Sequence, residues 1–174
     1  MDIRALRQDD DREPFRSGDA DLDRFFLKYA GQNQFRHHIG TTYIAVEDRR
    51  ILGFATVSPG QIESEALSAA TGRRLPKYPL PILRLARLAV DESCRGKGVG
   101  KELLAAVFEL ALRMASDYGC VGIAVDAKPD AVEFYTKFGF TPKTGVAGGM
   151  HVSPSPLPMW LSIAKLKKAG PGVA

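Results

Sequence analysis

The segment DESCRGKGVGKELL, at 91–104, places three glycines between basic side chains directly before a helix-like pattern. The glycines are Gly96, Gly98 and Gly100, and the flanking cations are Arg95, Lys97 and Lys101. The first amides of a helix have no partner within the helix, and the helix dipole adds positive potential there. Glycine lets an oxyanion approach such amides, because no Cβ stands in the way. This pattern therefore predicts a phosphate-binding loop.

The spacing of the glycines excludes two common nucleotide-binding loops. From Gly96, a P-loop would require glycine and lysine where Lys101 and Glu102 stand. The dinucleotide fingerprint requires G-x-G-x-x-G, whereas these glycines alternate strictly. A tight turn between a strand and a helix is the structural alternative, although such a turn commonly needs one glycine rather than three.

Length and composition indicate the class of protein. The chain has 174 residues, of which 45% are hydrophobic and 25% charged, as expected for one globular domain spanning 1–174. Its net charge of +4 is compatible with a polyanionic partner, although scattered basic residues are most often a solvated surface. The N-terminus is too charged for a signal peptide, and no window has the roughly 18 apolar residues of a membrane helix. We therefore expect a cytoplasmic protein without a membrane partner.

Apolar spacing and capping residues predict the elements that position this loop. The predicted helices are 17–35, 99–114 and 130–138, with a short helical piece and a proline-rich link over 61–81. The predicted strands are a hairpin over 41–59 that ends at Pro59, two runs over 82–91 and 120–127, and a closing strand over 156–167. Strands and helices alternate, which is typical of the α/β class.

The stretch Arg95-x-x-Gly98-x-Gly100, preceded by RLAVD, resembles the acetyl-CoA pyrophosphate loop of the GNAT superfamily of N-acetyltransferases. The stretch AVEFYTKFGF, at 131–140, resembles the family's short helix with an aromatic pair beside the cofactor. The resemblance implies an α+β variant of the α/β class, with a mixed central sheet, flanking helices and acetyl-CoA as co-substrate. It also implies two splayed parallel strands, at 84–90 and 121–126, with the pantetheine in the gap.

The stretch FRSGDADLDRFF, at 15–26, narrows the resemblance to the toxin branch of bacterial toxin–antitoxin systems. The similarity runs in order over about 15–142 and implies acetylation of the α-amino group of aminoacyl-tRNA, which blocks translation. It further implies a ribbon–helix–helix antitoxin as partner and a homodimer. Two alternatives stay open: an acetyltransferase of a small amine or a protein amine, and a CoA-binding module without turnover.

The resemblance also implies roles for individual residues. Tyr135 is the expected proton donor to the CoA thiolate, and the backbone amide of Val90 or of a near neighbour is expected to polarise the thioester carbonyl. The implied cofactor-binding residues are Leu88, Ala89, Val90, Arg95, Gly96, Lys97, Gly98, Val99, Gly100, Lys101, Phe134 and Phe138. The expected substrate-binding residues are Arg73, Arg74, Lys77, Arg84 and Arg87.

Three of these interpretations leave a choice open. Arg87 either meets the acceptor or pairs with a core carboxylate. Lys97 serves either the acceptor or a ribose phosphate of the cofactor. His37, His38 and His151 are candidate bases by residue type only, and surface packing is the more common role of such histidines. Cys94 and Cys120 stand far apart without a ligand-like pattern, so we expect no metal.

Overall fold

The computed structural model describes residues 1–65, 67, 74–143 and 156–169, which contain a seven-stranded mixed sheet with flanking helices. The strands are β1 (Asp2–Ala5), β2 (Thr41–Glu47), β3 (Arg50–Ile62), β4 (Leu80–Val90), β5 (Gly122–Ala127), β6 (Thr141–Pro142) and β7 (Leu157–Ser162). The α-helices are α1 (Ala20–Arg24), α2 (Val99–Asp117), α3 (Val132–Lys137) and α4 (Ile163–Ala169). The order across the sheet is β1-β2-β3-β4-β5-β7-β6. The predicted fold class is confirmed.

The chain divides into two compact units. The first comprises Met1–Ser58 and Leu85–Leu110, and the second comprises Pro59–Arg84 and Ala111–Val173. Within the described residues, no helix has the length and apolar character needed to cross a membrane.

The first unit contains the predicted hairpin, which is confirmed. β2 pairs with β3 in antiparallel register, and both turn residues have positive φ, 48° at Asp48 and 69° at Arg49. β3 continues past Pro59, where the sequence predicted its end. Thr41 is the first residue of β2 and pairs with Val57, so β2 is no longer beside the strand at Pro59. The missing N–H of proline therefore breaks no bond on that side.

The predicted N-terminal helix is confirmed but has three parts. α1 begins after Asp19, whose side chain accepts hydrogen bonds from the amides of Asp21 and Leu22. Two π-helical segments follow, Phe25–Tyr29 and Gln32–Arg36. Wide π turns displace backbone carbonyls from their usual partners. The guanidinium of Arg12 donates to the Phe26 carbonyl at 3.0 Å, which compensates for one such change.

Aromatic side chains form much of the core of the first unit. Phe26 stacks on Phe54 with a centroid distance of 4.3 Å, and Phe15 meets both rings edge-on at 5.0 and 5.5 Å. These rings are buried together with apolar residues of β2 and β3. The N-terminal helical segment is therefore held on the sheet by ring packing and apolar burial.

In the second unit, β7 pairs with both β5 and β6 in antiparallel register. The predicted closing strand over 156–167 is only half correct, because the strand ends at Ser162 and α4 follows. The hydroxyl of Ser162 accepts the Lys165 amide at 3.1 Å and so caps the helix. This side chain competes with strand continuation, a local signal that apolar spacing does not reveal.

Gly122 in β5 is a position that tests the packing of this unit. A Cβ there would lie 2.5 Å from the ring of Trp160 and 2.5 Å from the Leu161 carbonyl oxygen. We expect Gly122→Ala to lower the free energy of unfolding by about 1–3 kcal/mol, because the strands and ring must move apart. Chemical denaturation measures the change.

Gly60→Ala is the matched control, because a Cβ there meets Ile82 at an ordinary 3.4 Å. Equal stability of the two variants would contradict the predicted close contact between Gly122 and Trp160.

Candidate active site

The glycine-rich segment forms a turn between β4 and α2. A 3₁₀ turn over Glu92–Cys94 leads into the glycines, and α2 begins at Val99. Gly96 and Gly98 have φ values of +74° and +84°, which side-chain-bearing residues rarely adopt. A Cβ added to either would meet no atom within 4 Å, so open space lies in front of both. Gly100 lies in the first turn of α2 and does not have a positive φ.

The carboxylate of Asp91 fixes the start of this turn. It is buried and accepts the Arg16 amide at 3.2 Å, the Ser93 amide at 3.1 Å and the Ser93 hydroxyl at 2.5 Å. Arg50 donates to it at 3.2 Å. Burial alone would raise the pKa of Asp91, but these hydrogen bonds and the charge of Arg50 together lower it. The group therefore stays ionised and rigidly placed.

The N-terminal segment docks on the same turn. The Glu92 amide donates to the Arg16 carbonyl at 2.8 Å, and the Arg95 guanidinium donates to the Ser17 carbonyl. Gly18 has a φ of +82°, and a Cβ there would lie 3.1 Å from Nη2 of Arg95. Arg95, predicted to add charge at the anion site, thus has its guanidinium on the N-terminal segment. Lys97 and Lys101 are exposed, and neither is paired with another described residue.

This turn meets the requirements of a pyrophosphate site. It offers open backbone at Gly96 and Gly98, the N-terminal amides of α2, and the cations Lys97 and Lys101. Val99 is buried and holds the first turn of α2 on its unit. Of the three β4 residues predicted to bind cofactor, Ala89 is buried, and Leu88 and Val90 are partly buried. The chain's residues therefore fit a CoA-type ligand.

Tyr135, the predicted proton donor, lies in α3 within an aromatic group. Its ring is 5.2 Å from that of Phe134 and 5.4 Å from that of Phe140, and Phe134 is 5.0 Å from Phe138. Only 5% of Tyr135 is exposed, and burial raises the pKa of its phenol. The phenol therefore keeps its proton at neutral pH, as a proton donor must.

The side chains predicted to bind substrate differ in their contacts within the structure. Arg84 is paired with Asp126 at 2.9 Å, whereas Arg74 and Lys77 are exposed and have no ion-pair partner among the described residues. The guanidinium of Arg87 lies 3.8 Å from the centroid of the Phe25 ring. Arg73 lies outside the described residues.

The candidate bases are not placed at a common site. His37 and His38 are exposed at the end of the N-terminal helical segment, and Nε2 of His37 is 3.3 Å from the side-chain nitrogen Nε2 of Gln32. His151 lies outside the described residues. Sequence reasoning missed Asp91 as an organiser of the loop. The signal for it was its place as an Asx cap, two residues before Ser93.

Comparison with known proteins places the chain among acetyltransferases. Residues 38–142 match the acetyltransferase (GNAT) domain family. The chain is 30% identical over 138 residues to a tRNA-acetylating toxin of Mycobacterium tuberculosis. The aligned region covers 79% of this chain and 82% of the relative.

Two solved structures are also similar. AtaT complexed with acetyl-methionyl-tRNAfMet matches with a TM-score of 0.81 and 25% identity, over 97% of this chain and 98% of that chain. AtaTR bound with acetyl-CoA matches with a TM-score of 0.77 and 25% identity, over 97% and 96%.

The glycine turn yields a binding prediction. Gly98→Asp should weaken acetyl-CoA binding by at least about 100-fold, because it puts a negative charge where an anion binds and a side chain at positive φ. Gly98→Ala introduces the strain without the charge and should weaken binding less. Isothermal titration calorimetry measures both, and an affinity of Gly98→Asp within about twofold of wild type would disprove the pyrophosphate site.

The Asp91 network yields a pH prediction. The pKa of Asp91 is lower in the folded protein than its value of 3.8 in the unfolded chain. The ionised carboxylate therefore stabilises the protein fully at pH values above 3.8. This stabilisation is lost as the pH falls through the pKa of the folded state. We expect Asp91→Asn to cost about 1.5–3 kcal/mol at pH 7 and progressively less below pH 3.8. Denaturation at several pH values measures this difference, and a pH-independent cost would refute the ionised network.

Proposed function

The chain belongs to the GNAT acetyltransferase family and uses acetyl-CoA, and from this premise we propose that it acetylates the α-amino group of aminoacyl-tRNA. The observation that carries the proposal is the docking of the Arg16–Ser17 segment on the glycine turn. This segment belongs to the sequence stretch that resembles the tRNA-acetylating toxins, so the toxin-like part contacts the predicted cofactor loop directly. Blocked amino groups would stop translation, which makes the protein a toxin.

The proposed reaction requires a different contribution from each group of site residues. The amine nitrogen bonds to the acetyl carbon as the carbon–sulfur bond breaks, the amine loses a proton and the sulfur gains one. The glycine turn holds the pyrophosphate, and the Val90 amide supports the carbonyl oxygen. Tyr135 supplies the proton to sulfur, with Phe134 and Phe138 excluding water around it. The aminoacyl amine has a lower pKa than a lysine side chain, so we propose that water accepts its proton.

The acceptor is a long polyanion, and cations without partners are suited to bind it. Arg74 and Lys77 are exposed in the link before β4 and have no ion-pair partner in the described part of the chain. We include Arg73 in this basic group from the sequence and Arg84 as a weaker member, because Asp126 already neutralises its charge. Contacts of this kind position tRNA without selecting its sequence.

The proposal extends to partners and compartment. AtaT is known in structures with the antitoxin AtaR, so we infer that an antitoxin binds this chain as well. The sequence resemblance favours an antitoxin of the ribbon–helix–helix type. We further propose a single-domain protomer that forms a homodimer and acts in the cytoplasm, where charged tRNA is found.

Acetyl transfer to charged tRNA tests the function directly. Purified protein, labelled acetyl-CoA and a mixed pool of aminoacyl-tRNA should give labelled N-acetyl-aminoacyl-tRNA, whereas deacylated tRNA should give none. Label transfer to free amino acids, polyamines or protein instead would favour the small-amine or protein-amine alternative. Growth arrest on induced expression, relieved by the neighbouring antitoxin gene, tests the toxin role independently.

Tyr135→Phe keeps the ring and its packing and removes the proton donor. We expect kcat to fall by about 10²–10⁴-fold while the Kd for acetyl-CoA stays within about twofold. Single-turnover kinetics with calorimetry separate the two quantities. A kcat within about threefold of wild type would leave Tyr135 as a packing residue.

The basic group yields a salt-dependent prediction. Reversing Arg74 and Lys77 to glutamate should raise KM for aminoacyl-tRNA and reduce its dependence on salt, because fewer counterions are released on binding. Acetyl-CoA binding should not change. Reversing Lys167 and Lys168, both exposed in the last turn of α4, changes the net charge equally and serves as the control. Equal effects of the two reversals would show that net charge alone matters.

A further inference from the structure

The side chain of Arg87 is held by an aromatic ring. Its Cζ atom lies 3.8 Å from the centroid of Phe25, in the first π-helical segment after α1. Phe25 is buried in a cluster that includes Phe54 and Ala89. Side chains alternate along a strand, so Arg87 and Ala89 lie on the same side of β4. The buried ring thus covers one face of the guanidinium and restrains its position.

The donors of Arg87 are unused within the described chain. Arg4, Arg50 and Arg84 each pair with a carboxylate, whereas Arg87 has no hydrogen bond or ion pair with any described residue. Burial lowers the pKa of Arg87, and no carboxylate among the described residues acts against this effect. The guanidinium nevertheless stays charged at neutral pH. Arg87 is exposed as a residue, so its unused donors face solvent and are accessible to an anionic ligand.

We propose that Arg87, held against Phe25, binds a phosphate group at the 3′ end of the acceptor RNA. This inference rests on the proposed function and adds the residue that recognises the reacting end of the acceptor. The amino acid's carboxyl group is esterified to the RNA, so the phosphates are the anions that the acceptor's end carries. A stacked guanidinium presents its N–H edge in a planar fork, which matches two phosphate oxygens.

The place of Arg87 in the chain fits this role. It directly precedes Leu88, Ala89 and Val90, for which we propose contact with the acetyl-CoA thioester end. The reacting amine is attached to the terminal nucleotide, so the nearest phosphates enter the site with it. A fixed contact to one of them limits the freedom of the amine before attack. Arg87 is therefore a binding and orienting residue for the acceptor.

Acceptors of different length test the assignment. Arg87→Gln removes the charge, and kinetics are measured with aminoacyl-tRNA, with a three-nucleotide 3′-aminoacyl oligonucleotide and with phosphate-free aminoacyl-adenosine. We expect KM to rise about tenfold or more for the first two acceptors. For aminoacyl-adenosine, and for the Kd of acetyl-CoA, we expect changes within about twofold. Arg113→Gln removes an exposed cation from α2 and should change none of these values.

Two further variants test the geometry. Arg87→Lys keeps the charge and loses the planar fork, so its KM should lie between those of wild type and Arg87→Gln. Phe25→Leu removes the ring beneath the guanidinium and should raise KM for the oligonucleotide. The melting temperature of this protein variant shows whether it is folded. A wild-type KM in Arg87→Lys would overturn the fork geometry.

The remaining outcomes separate this inference from the proposed function. An equal rise of KM for aminoacyl-adenosine, or a raised Kd for acetyl-CoA, would show that Arg87 does not act on an acceptor phosphate. Unchanged kinetics in Arg87→Gln with an active wild type would overturn the inference alone. A wild-type protein that acetylates no aminoacyl-tRNA would overturn the proposed function itself.

Discussion

The buried carboxylate of Asp91 connects four parts of the first unit. It follows β4, caps the turn before the glycines, accepts the Arg16 amide and meets Arg50 at the start of β3. A buried charge is tolerated only when its oxygens are hydrogen-bonded, so the partners must all be in place for the chain to fold this way. The position of the glycine turn therefore depends on one ionised side chain and on the N-terminal segment that it fixes.

That dependence explains why Arg95 and the two lysines have different roles despite similar charge. Arg95 has a carbonyl of the N-terminal segment as partner, and its planar guanidinium fits against the uncovered backbone of Gly18. Lys97 and Lys101 point from the turn and from the first turn of α2 without a described partner. The amides and the two lysines are thus left for the proposed pyrophosphate, while Arg95 holds the turn on the N-terminal segment. The glycine turn and the N-terminal segment are therefore joined by hydrogen bonds.

The contacts of each side chain separate the remaining candidate residues in a similar way. Tyr135 is enclosed by rings and retains its proton, Arg84 is neutralised by Asp126, and Arg87 lies on Phe25 with its donors free. The same residue type therefore has a structural role at one position and is available to a ligand at another. Desolvation and the nearest partner decide between these roles.

The sequence by itself determined the class of fold and the family. Apolar periodicity located β4, β5, α2, α3 and the hairpin, because these elements bury a continuous stripe or face, and the resemblance identified the family. Local rules failed where long-range pairing decided the outcome. β3 passes through Pro59 because β2 has ended there, and β1 gains its strand from pairing with β2. The turn into α4 has a local cause instead, the cap at Ser162, which apolar spacing does not reveal.

Only the tertiary structure decided which charged groups are engaged in hydrogen bonds within the protein. Asp91 accepts an amide from a residue 75 positions away, and Arg95 reaches a carbonyl 78 positions away. No local pattern encodes such pairs, because they depend on how the N-terminal segment packs beside the strand ends. The sequence therefore provided the residue types of the site, and the packing of distant segments set which of them hold the structure and which are left for ligands.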